Sequence, residues 1–403
     1  MSPLRQLRVA VVGCGTAGPA LALMLHAAGH AVEVIERAES PSGIGAGILL
    51  QHLGQQVVGR LGLADELRAR SAVISSVDAT SLDGRVVMGF EYADLPGGVP
   101  GWGVHRGSLF EVLLGAVRVA RIPVRTGTAV VDVRPSADGL AAHSTEGLLG
   151  EYDLVVGADG AGSVVRDSAG LTRRERTYPY GALWAVVDDP ERVATSTLYQ
   201  RYDGTRRYLG ALPTGTDMSS LFWSIRERDI DATLQRGVDG WRDEALPFAG
   251  PYEHLVQRVS ELIPARYRHV TSTSPVRVVE GAGGTCGVAL VGDAAHAMSP
   301  QLGTGASLAL ADAWTLGVML RRHAALGAAL TAYRLERRAH VRWYTVCSRA
   351  MVPAFQSDLD ALAFPRDRLL GALTRRAWVR RHMVAMLMGC QTSPWTSWDL
   401  PGD

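Results

Sequence analysis

The segment Arg8-Val9-Ala10-Val11-Val12-Gly13-Cys14-Gly15-Thr16-Ala17-Gly18 decides the fold. Arg8–Val12 is a short β-branched run that reads as a buried strand, and the stretch Ala20–Ala28 after the glycines has the apolar spacing of a helix. Gly29-His30 ends that helix, and Ala31–Ile35 reads as a second buried strand closing on Glu36. Strand, glycine turn, helix and strand with a terminal acid make up the dinucleotide-binding fingerprint of a doubly wound α/β fold. Gly13 permits the tight turn, Gly15 lets backbone N–H groups approach a pyrophosphate, and Gly18 lets helix and strand pack closely. Thr16 and Ala17 open the helix, whose unpaired N–H groups and dipole favour the anion. Glu36 is placed to accept hydrogen bonds from a ribose diol, which favours FAD or NAD over NADP. The motif alone does not choose between those two.

Composition narrows the field. The chain has 403 residues, 47% hydrophobic and 20% charged, enough for two or three domains with separate cores. The formal net charge of +1 gives no argument for nucleic acid or an anionic membrane as partner. Cys14, Cys286, Cys347 and Cys390 form no CxxC pair and no metal-ligand spacing, so no metal site is expected and reduced thiols in a cytoplasm are. All 41 basic residues are arginine, which excludes a Schiff-base lysine, a Walker-type lysine and a lysine general acid. The apolar run Val9–Leu25 is interrupted by glycines and lacks the charged lead of a signal peptide, and Gly303–Leu320 carries Asp312 at its middle.

Two later segments choose between the dinucleotides. Tyr152–Val156 reads as a strand leading into Gly157-Ala158-Asp159-Gly160-Ala161-Gly162-Ser163 and then Val164-Val165-Arg166. Val288–Val291 reads as a strand leading into Gly292-Asp293-Ala294-Ala295-His296, with Pro300-Gln301-Leu302-Gly303-Thr304-Gly305 opening a long helix. In order and spacing, these three segments resemble those of the class A, single-component flavoprotein monooxygenases, the p-hydroxybenzoate hydroxylase-like family. The resemblance runs from about residue 7 to 345.

The resemblance implies a Rossmann-like FAD-binding domain, an inserted antiparallel β-sheet substrate domain and C-terminal helices. It implies that NAD(P)H reduces FAD, that oxygen adds at flavin C4a, and that the resulting hydroperoxide hydroxylates an aromatic or polycyclic, natural-product-like molecule. Position by position, Glu36 and Arg37 would hold the adenosine half of FAD, and Arg106 would contact its phosphate region. Asp159 would lie near the pyrophosphate and the nicotinamide donor, and Asp293 by the ribityl or pyrophosphate portion. Pro300, Gly303, Thr304, Gly305 and Ala306 would lie along the isoalloxazine. The small-residue loop Ser40–Gln51, with Gly43, Gly45 and Gly47, would lie over the ring and permit it to move. Thr304 and Ser307 stand where the family often has Gln and Asn, and Ala311 replaces a frequent acid before Asp312. Independently of the family, Gly303-Thr304-Gly305 begins a helix whose exposed N–H groups would stabilise an anion at a reduced flavin. Asp293 reads alternatively as a helix N-cap, and His296 as a packed structural histidine.

Along the chain, residues 1–72, 93–175 and 276–345 read as the discontinuous cofactor domain. Residues 73–92 and 176–275 read as the inserted sheet, and 346–403 as a helical segment to about Gly389 with a Trp- and Pro-containing tail. Hairpins are expected at Asp83-Gly84 and Asp203-Gly204, further strands at Tyr180–Val187 and Ser219–Arg226, and a covering helix at Tyr252–Ile263. Met383, Met386 and Met388 read as core filling. Period-2 geometry puts Thr197, Tyr199 and Arg201 on one face of their strand, and Tyr208, Gly210 and Leu212 on one face of the next. Against p-hydroxybenzoate hydroxylase, Tyr199 falls at the position of the tyrosine that hydrogen-bonds the substrate phenol, and Leu212 at that of the arginine that binds the substrate carboxylate. This implies Tyr199 as the catalytic side chain and a substrate without a benzoate-like carboxylate there. Trp184, Phe222 and Trp223 would be apolar walls.

Epoxidation or Baeyer–Villiger insertion on the same fold is the alternative oxygenation. A flavin dehydrogenase or reductase, or an NAD-linked Rossmann dehydrogenase, would share the fingerprint without oxygen transfer. A flavin halogenase is disfavoured because those enzymes use a lysine near the substrate. The partner expected is a small aromatic or heteroaromatic molecule, with no nucleic acid and no membrane, acting on a monomer or homodimer.

Overall fold

The computed structural model describes residues 4–43, 45–192, 194–281 and 284–402. The fingerprint strands Arg8–Val12 and Ala31–Ile35 form as read, because each is an apolar run flanked by residues that end it. They join a six-stranded sheet in the order 276–281, 284–290, 154–157, 8–12, 31–35 and 124–125. The strands from Gly284–Leu290 to Val124–Arg125 run parallel, and Val276–Gly281 adds an antiparallel edge. Register aligns Val12 with both Ile35 and Gly157, and Gly157 with Leu290. The glycine turn, the Asp159 loop and the Gly292-Asp293 turn therefore all leave the same, carboxyl edge of the sheet, where open α/β sheets take their ligands.

Helix Ala17–Ala27 packs on this sheet beside helix Gly305–Arg322, burying Leu21, Leu25, Leu308 and Leu316 with Val9 and Val11. The loop after Glu36 differs from expectation at its end. Gly47–Leu50 is a strand paired antiparallel with Gly101–His105, so only the earlier part is irregular, and Ile44 in its middle lies outside the described residues.

The second sheet has seven strands in the order 263–265, 180–188, 218–226, 207–213, 197–203, 76–81 and 86–91. Its central strands alternate, one face toward the cofactor-fold segments and the other away from them. The away face is covered by helix Ile230–Ala249, which packs Trp241, Ala245 and Phe248 against Leu183, Leu209 and Trp223. This corrects the expected cover at Tyr252–Ile263, which supplies only the short helix Glu253–Arg258 and then the edge strand Ile263–Ala265.

C-terminal to the helix Leu326–Phe355, short turns lead to helix Ala377–Leu387, and the Trp- and Pro-containing tail forms a small hairpin, Gln391–Ser393 with Thr396–Ser397. Met383, Met386 and Met388 pack at the margins of the apolar clusters, as filling side chains do.

Candidate functional site: the carboxyl edge of the parallel sheet

The glycine turn is built too tightly for other residues at two positions. Gly13 has φ +105°, and a Cβ there would stand 2.4 Å from the carbonyl oxygen of Ala158; a Cβ on Gly18 would stand 2.0 Å from the Gly13 carbonyl oxygen. The first contact locks the turn onto the Asp159 loop, and the second locks the helix onto the turn. Gly15 faces open space. Thr16 precedes the helix without capping it through its side chain, and Ala17 is its first residue, so the first-turn N–H groups remain available. Glu36 reaches back to the same turn: Cys14 N–H donates to its carboxylate at 2.8 Å and Ala38 N–H at 2.9 Å. Burial and the neighbouring Glu36 push the Cys14 thiol up to about 12, so it stays protonated and fills space. Arg37 is exposed next to Glu36.

Asp159 sits on the adjoining loop. One carboxylate oxygen accepts from Val165 N–H at 3.3 Å, whereas the other is buried with no hydrogen-bond partner among the described residues. Burial raises the pKa of this carboxyl above the ordinary carboxylate range. Arg166, itself fully buried, donates to the carbonyls of Ala161 at 2.9 Å and Ala294 at 3.2 Å, and ion-pairs with Glu175. It thereby clamps the Asp159 loop to the Gly292-Asp293 turn.

That turn has a second anchor. Asp312, fully buried, accepts from Gly292 N–H at 2.8 Å, from His296 Nε2 at 2.6 Å and from Arg337 Nε at 2.7 Å. Burial alone would raise its pKa, but His296 and Arg337 outweigh that and hold the carboxyl well below its usual range. Arg337 also meets His340, whose Nε2 donates to the Gly389 carbonyl at 2.6 Å. His296 is thus a packed histidine serving a buried network. Asp293 is the first residue of the short helix Asp293–His296, exposed, and its side chain caps no N–H group; the N-cap alternative is set aside.

The Pro300–Leu302 turn and left-handed Gly303 lead to Thr304, which precedes helix Gly305–Arg322 without a side-chain cap. The N–H groups of Gly305, Ala306 and Ser307 therefore begin a helix with no acceptor inside it. Pro300 and Gly305 are exposed, Ala306 half-buried and Thr304 buried. Ser307 Oγ accepts from Gln51 N–H at 3.2 Å, and Gln51 in turn accepts from the Tyr92 hydroxyl at 2.7 Å. Arg106, at the start of helix Arg106–Val119, lies along Gly45 and donates its N–H to Ala46, while a Cβ on Gly43 would strike Gly107 at 2.1 Å. The loop is fastened to the helix start, and Gly47 N–H reaches Ser220 Oγ in the second sheet at 2.8 Å.

The second sheet does not bring all the expected pocket residues together. The connection after Asp203 is three residues long, so Tyr202 pairs with Tyr208, Gln200 with Gly210 and Tyr199 with Ala211. Trp184, Leu198, Gln200, Tyr202, Tyr208, Gly210, Leu212 and Phe222 consequently share the face that meets Leu49 and, at the end of helix Leu326–Phe355, Met351 and Phe355. Thr197, Tyr199 and Trp223 point to the other face. There Tyr199 stacks edge-on against Tyr252 at 4.9 Å between ring centres, and Trp223 against Phe248 at 4.8 Å, under helix Ile230–Ala249. Gln301, which lies beside Tyr208, donates to Gln356 at 2.8 Å. Sequence reasoning missed Gln301, Gln356, Arg166 and the network role of Asp312. Only Asp312 had a visible mark, as the lone charge in an apolar run.

Residues 6–347 match the family described as the FAD binding domain. The chain belongs to that family. The 3-amino-4-hydroxybenzoate 2-monooxygenase of Streptomyces cremeus is 31% identical over 84% of this chain and 85% of its own. The 3-hydroxybenzoate 6-hydroxylase of Klebsiella oxytoca is also 31% identical, over 84% of this chain and 87% of its own. Among solved structures, Klebsiella pneumoniae HpxO complexed with FAD and uric acid superposes with a TM-score of 0.80 at 22% identity, covering 94% of this chain and 97% of that one. This member of the FAD-binding-domain family is an FAD-dependent monooxygenase, with NAD(P)H as electron donor and molecular oxygen as co-substrate. The glycine cradle and the uncapped helix starts suit the diphosphate of such a dinucleotide, and the unpartnered Asp159 oxygen suits one of its hydroxyl donors.

Proposed function

We propose that this flavoprotein hydroxylates an uncharged aromatic or heteroaromatic molecule held against the inner face of the seven-stranded sheet. The observation that carries the reading is the chemistry of that face. Its central positions are aromatic, aliphatic or amide: Trp184, Leu198, Gln200, Tyr202, Tyr208, Leu212 and Phe222. The cation that stacks there, Arg366 over the Tyr202 ring at 4.9 Å, is already neutralised by Asp367 at 2.7 Å. A carboxylate would find no free cation at these positions, whereas a flat ring with a hydroxyl or carbonyl would find apolar walls and hydrogen-bonding tips.

FAD, when bound, supplies the redox chemistry and the transfer of one oxygen atom. The chain's own residues position and exclude. Gly13, Gly15, Thr16, Ala17 and Gly18 would cradle the pyrophosphate; Glu36 and Arg37 would hold the adenosine half; Arg106, Asp159 and Asp293 would hold its middle. Pro300, Gly303, Thr304, Gly305 and Ala306 would border the isoalloxazine beside Gly47, the helix start favouring negative charge there. Tyr208, beside Gln301 at that border, orients the substrate's polar group in place of Tyr199. On this reading residues 1–72, 93–175 and 276–345 hold the cofactor, 73–92 and 176–275 the substrate, and 346–403 close the interior.

The test is a panel of neutral phenols, quinolones and benzoates scored for NAD(P)H oxidation, oxygen uptake and labelled-oxygen incorporation. Neutral rings should couple oxidation to labelled product. Coupled turnover confined to benzoates would overturn the substrate reading, and substrate oxidation without oxygen incorporation would overturn hydroxylation.

A further inference from the structure

The near-neutral chain conceals a segment of one sign. From Arg368 to Trp398 there are five arginines and no aspartate or glutamate, against +1 for the whole protein. Arg380 is paired with Asp94 at 2.7 Å, while Arg368, Arg375, Arg376 and Arg381 form no ion pair among the described residues. The same stretch holds the most exposed large apolar side chains of its region: Trp378 is 59% exposed, Leu369 63%, and Trp395 82%. Phe364, just before it, is 63% exposed and lies under the Arg368 guanidinium at 4.6 Å.

These groups form a surface. Arg375, Trp378, Arg381, His382 and Ala385 recur at helical spacing on and just before helix Ala377–Leu387. The Trp378 and His382 rings are 6.0 Å apart, and those of His382 and Trp395 are 5.0 Å apart. The helix and the following hairpin thus present one aromatic row flanked by guanidinium groups. The opposite side of the helix is held in place, with Val384 fully buried against Val77, Phe90 and Tyr92.

We propose that this surface docks the enzyme on a bilayer containing anionic lipid. Exposed tryptophans and leucines beside unpaired arginines have the chemistry of an interfacial element: apolar side chains enter the headgroup boundary while guanidinium groups meet lipid phosphates. No helix of the described residues is long and apolar enough to cross a membrane, so the contact is peripheral. A second copy of the chain is a poorer occupant, because a two-fold axis would set the same arginines against one another.

The experiment uses FAD-loaded full-length enzyme in flotation assays with phosphatidylcholine vesicles, and with equimolar phosphatidylcholine and phosphatidylglycerol. Binding is expected only to the mixed vesicles, accompanied by a blue shift of tryptophan emission and lost in high salt. Arg375→Gln with Arg381→Gln should weaken partitioning about thirtyfold, roughly fivefold per arginine. Trp378→Ala with Trp395→Ala should remove it while FAD absorbance is kept, and Trp395→Ser alone, at the hairpin tip, gives the same reading if the double variant loses FAD. No binding to the mixed vesicles, or binding that survives loss of the tryptophans, would overturn the proposal. So would sedimentation showing that these substitutions convert a dimer to a monomer, which would assign the surface to self-association.

Discussion

Asp312→Asn tests the buried network beneath the Gly292-Asp293 turn. Asp312 is 0% exposed and Arg337 2%, and they meet at 2.7 Å, so the substitution leaves a guanidinium charge buried opposite a neutral amide. Removing one partner of such a pair costs about 3–5 kcal/mol, chiefly through the charge left behind. In a chain of this size that corresponds to a fall in melting temperature of roughly 4–6 °C. Arg337→Met should cost a similar amount, leaving a buried carboxylate. The double variant, with neither charge, should recover up to about 3 kcal/mol relative to the sum of the singles. Because the folded Asp312 carboxyl titrates below its unfolded value of about 3.9, its contribution is complete above that pH and lost as pH falls through the folded value. The difference between the wild type and Asp312→Asn should therefore be flat from neutral pH to mildly acidic pH. The assay is chemical unfolding of the FAD-loaded protein by flavin fluorescence and circular dichroism. Additive single costs, or a difference that shrinks well above the carboxylate range, would refute the reasoning.

Acid should weaken the same region through His340. Burial and the facing Arg337 push its imidazole down to about 2, so below an unfolded value of about 6.5 only the unfolded chain takes up the proton. Stability should fall from that pH downward, by about 2 kcal/mol at pH 5, and His340→Gln should flatten the slope measured by urea midpoints. Gly210→Ala places a Cβ 1.9 Å from the Phe222 ring, so the ring must swing away; a loss of about 1–3 kcal/mol in unfolding assays, relieved by adding Phe222→Ala, is expected. Tyr199→Phe should leave coupled turnover unchanged, whereas Tyr208→Phe should lower product yield per NAD(P)H oxidised; the reverse pattern would return the substrate to the helix-covered face. Glu36→Ala and Asp159→Ala should each lower FAD retained after gel filtration, and full retention in both would undo the assigned cradle.

The nucleotide-binding half was legible because its evidence is local. Val9–Val12 and Ala31–Ile35 are short apolar runs punctuated by glycine and an acid, and nothing tertiary competes with them. The inner sheet was legible strand by strand but not across strands. Alternation tells which residues share a face within Thr197–Asp203, yet pairing depends on the number of turn residues. A two-residue Asp203-Gly204 turn would set Tyr199 opposite Tyr208; the three-residue connection sets it opposite Ala211. Helix Ile230–Ala249 escaped notice because Gly237, with φ +77°, kinks it and Pro247 lies inside it. Arg166 and Gln301 are polar residues whose partners are remote in sequence, Ala294 and Gln356 among them, and no spacing rule reaches that far.

The parity of that one hairpin separates two sets of constraints along the same strands. Even-numbered strand positions, 198 to 202 and 208 to 212, meet the interior where the substrate is proposed to lie, and odd-numbered ones, Tyr199, Leu209 and Ala211 among them, meet the covering helix. Mutational libraries confined to the even positions can thus search for new substrates while the odd positions keep the scaffold folded. The enzyme's capacity to diversify is therefore built into an alternation of single residues.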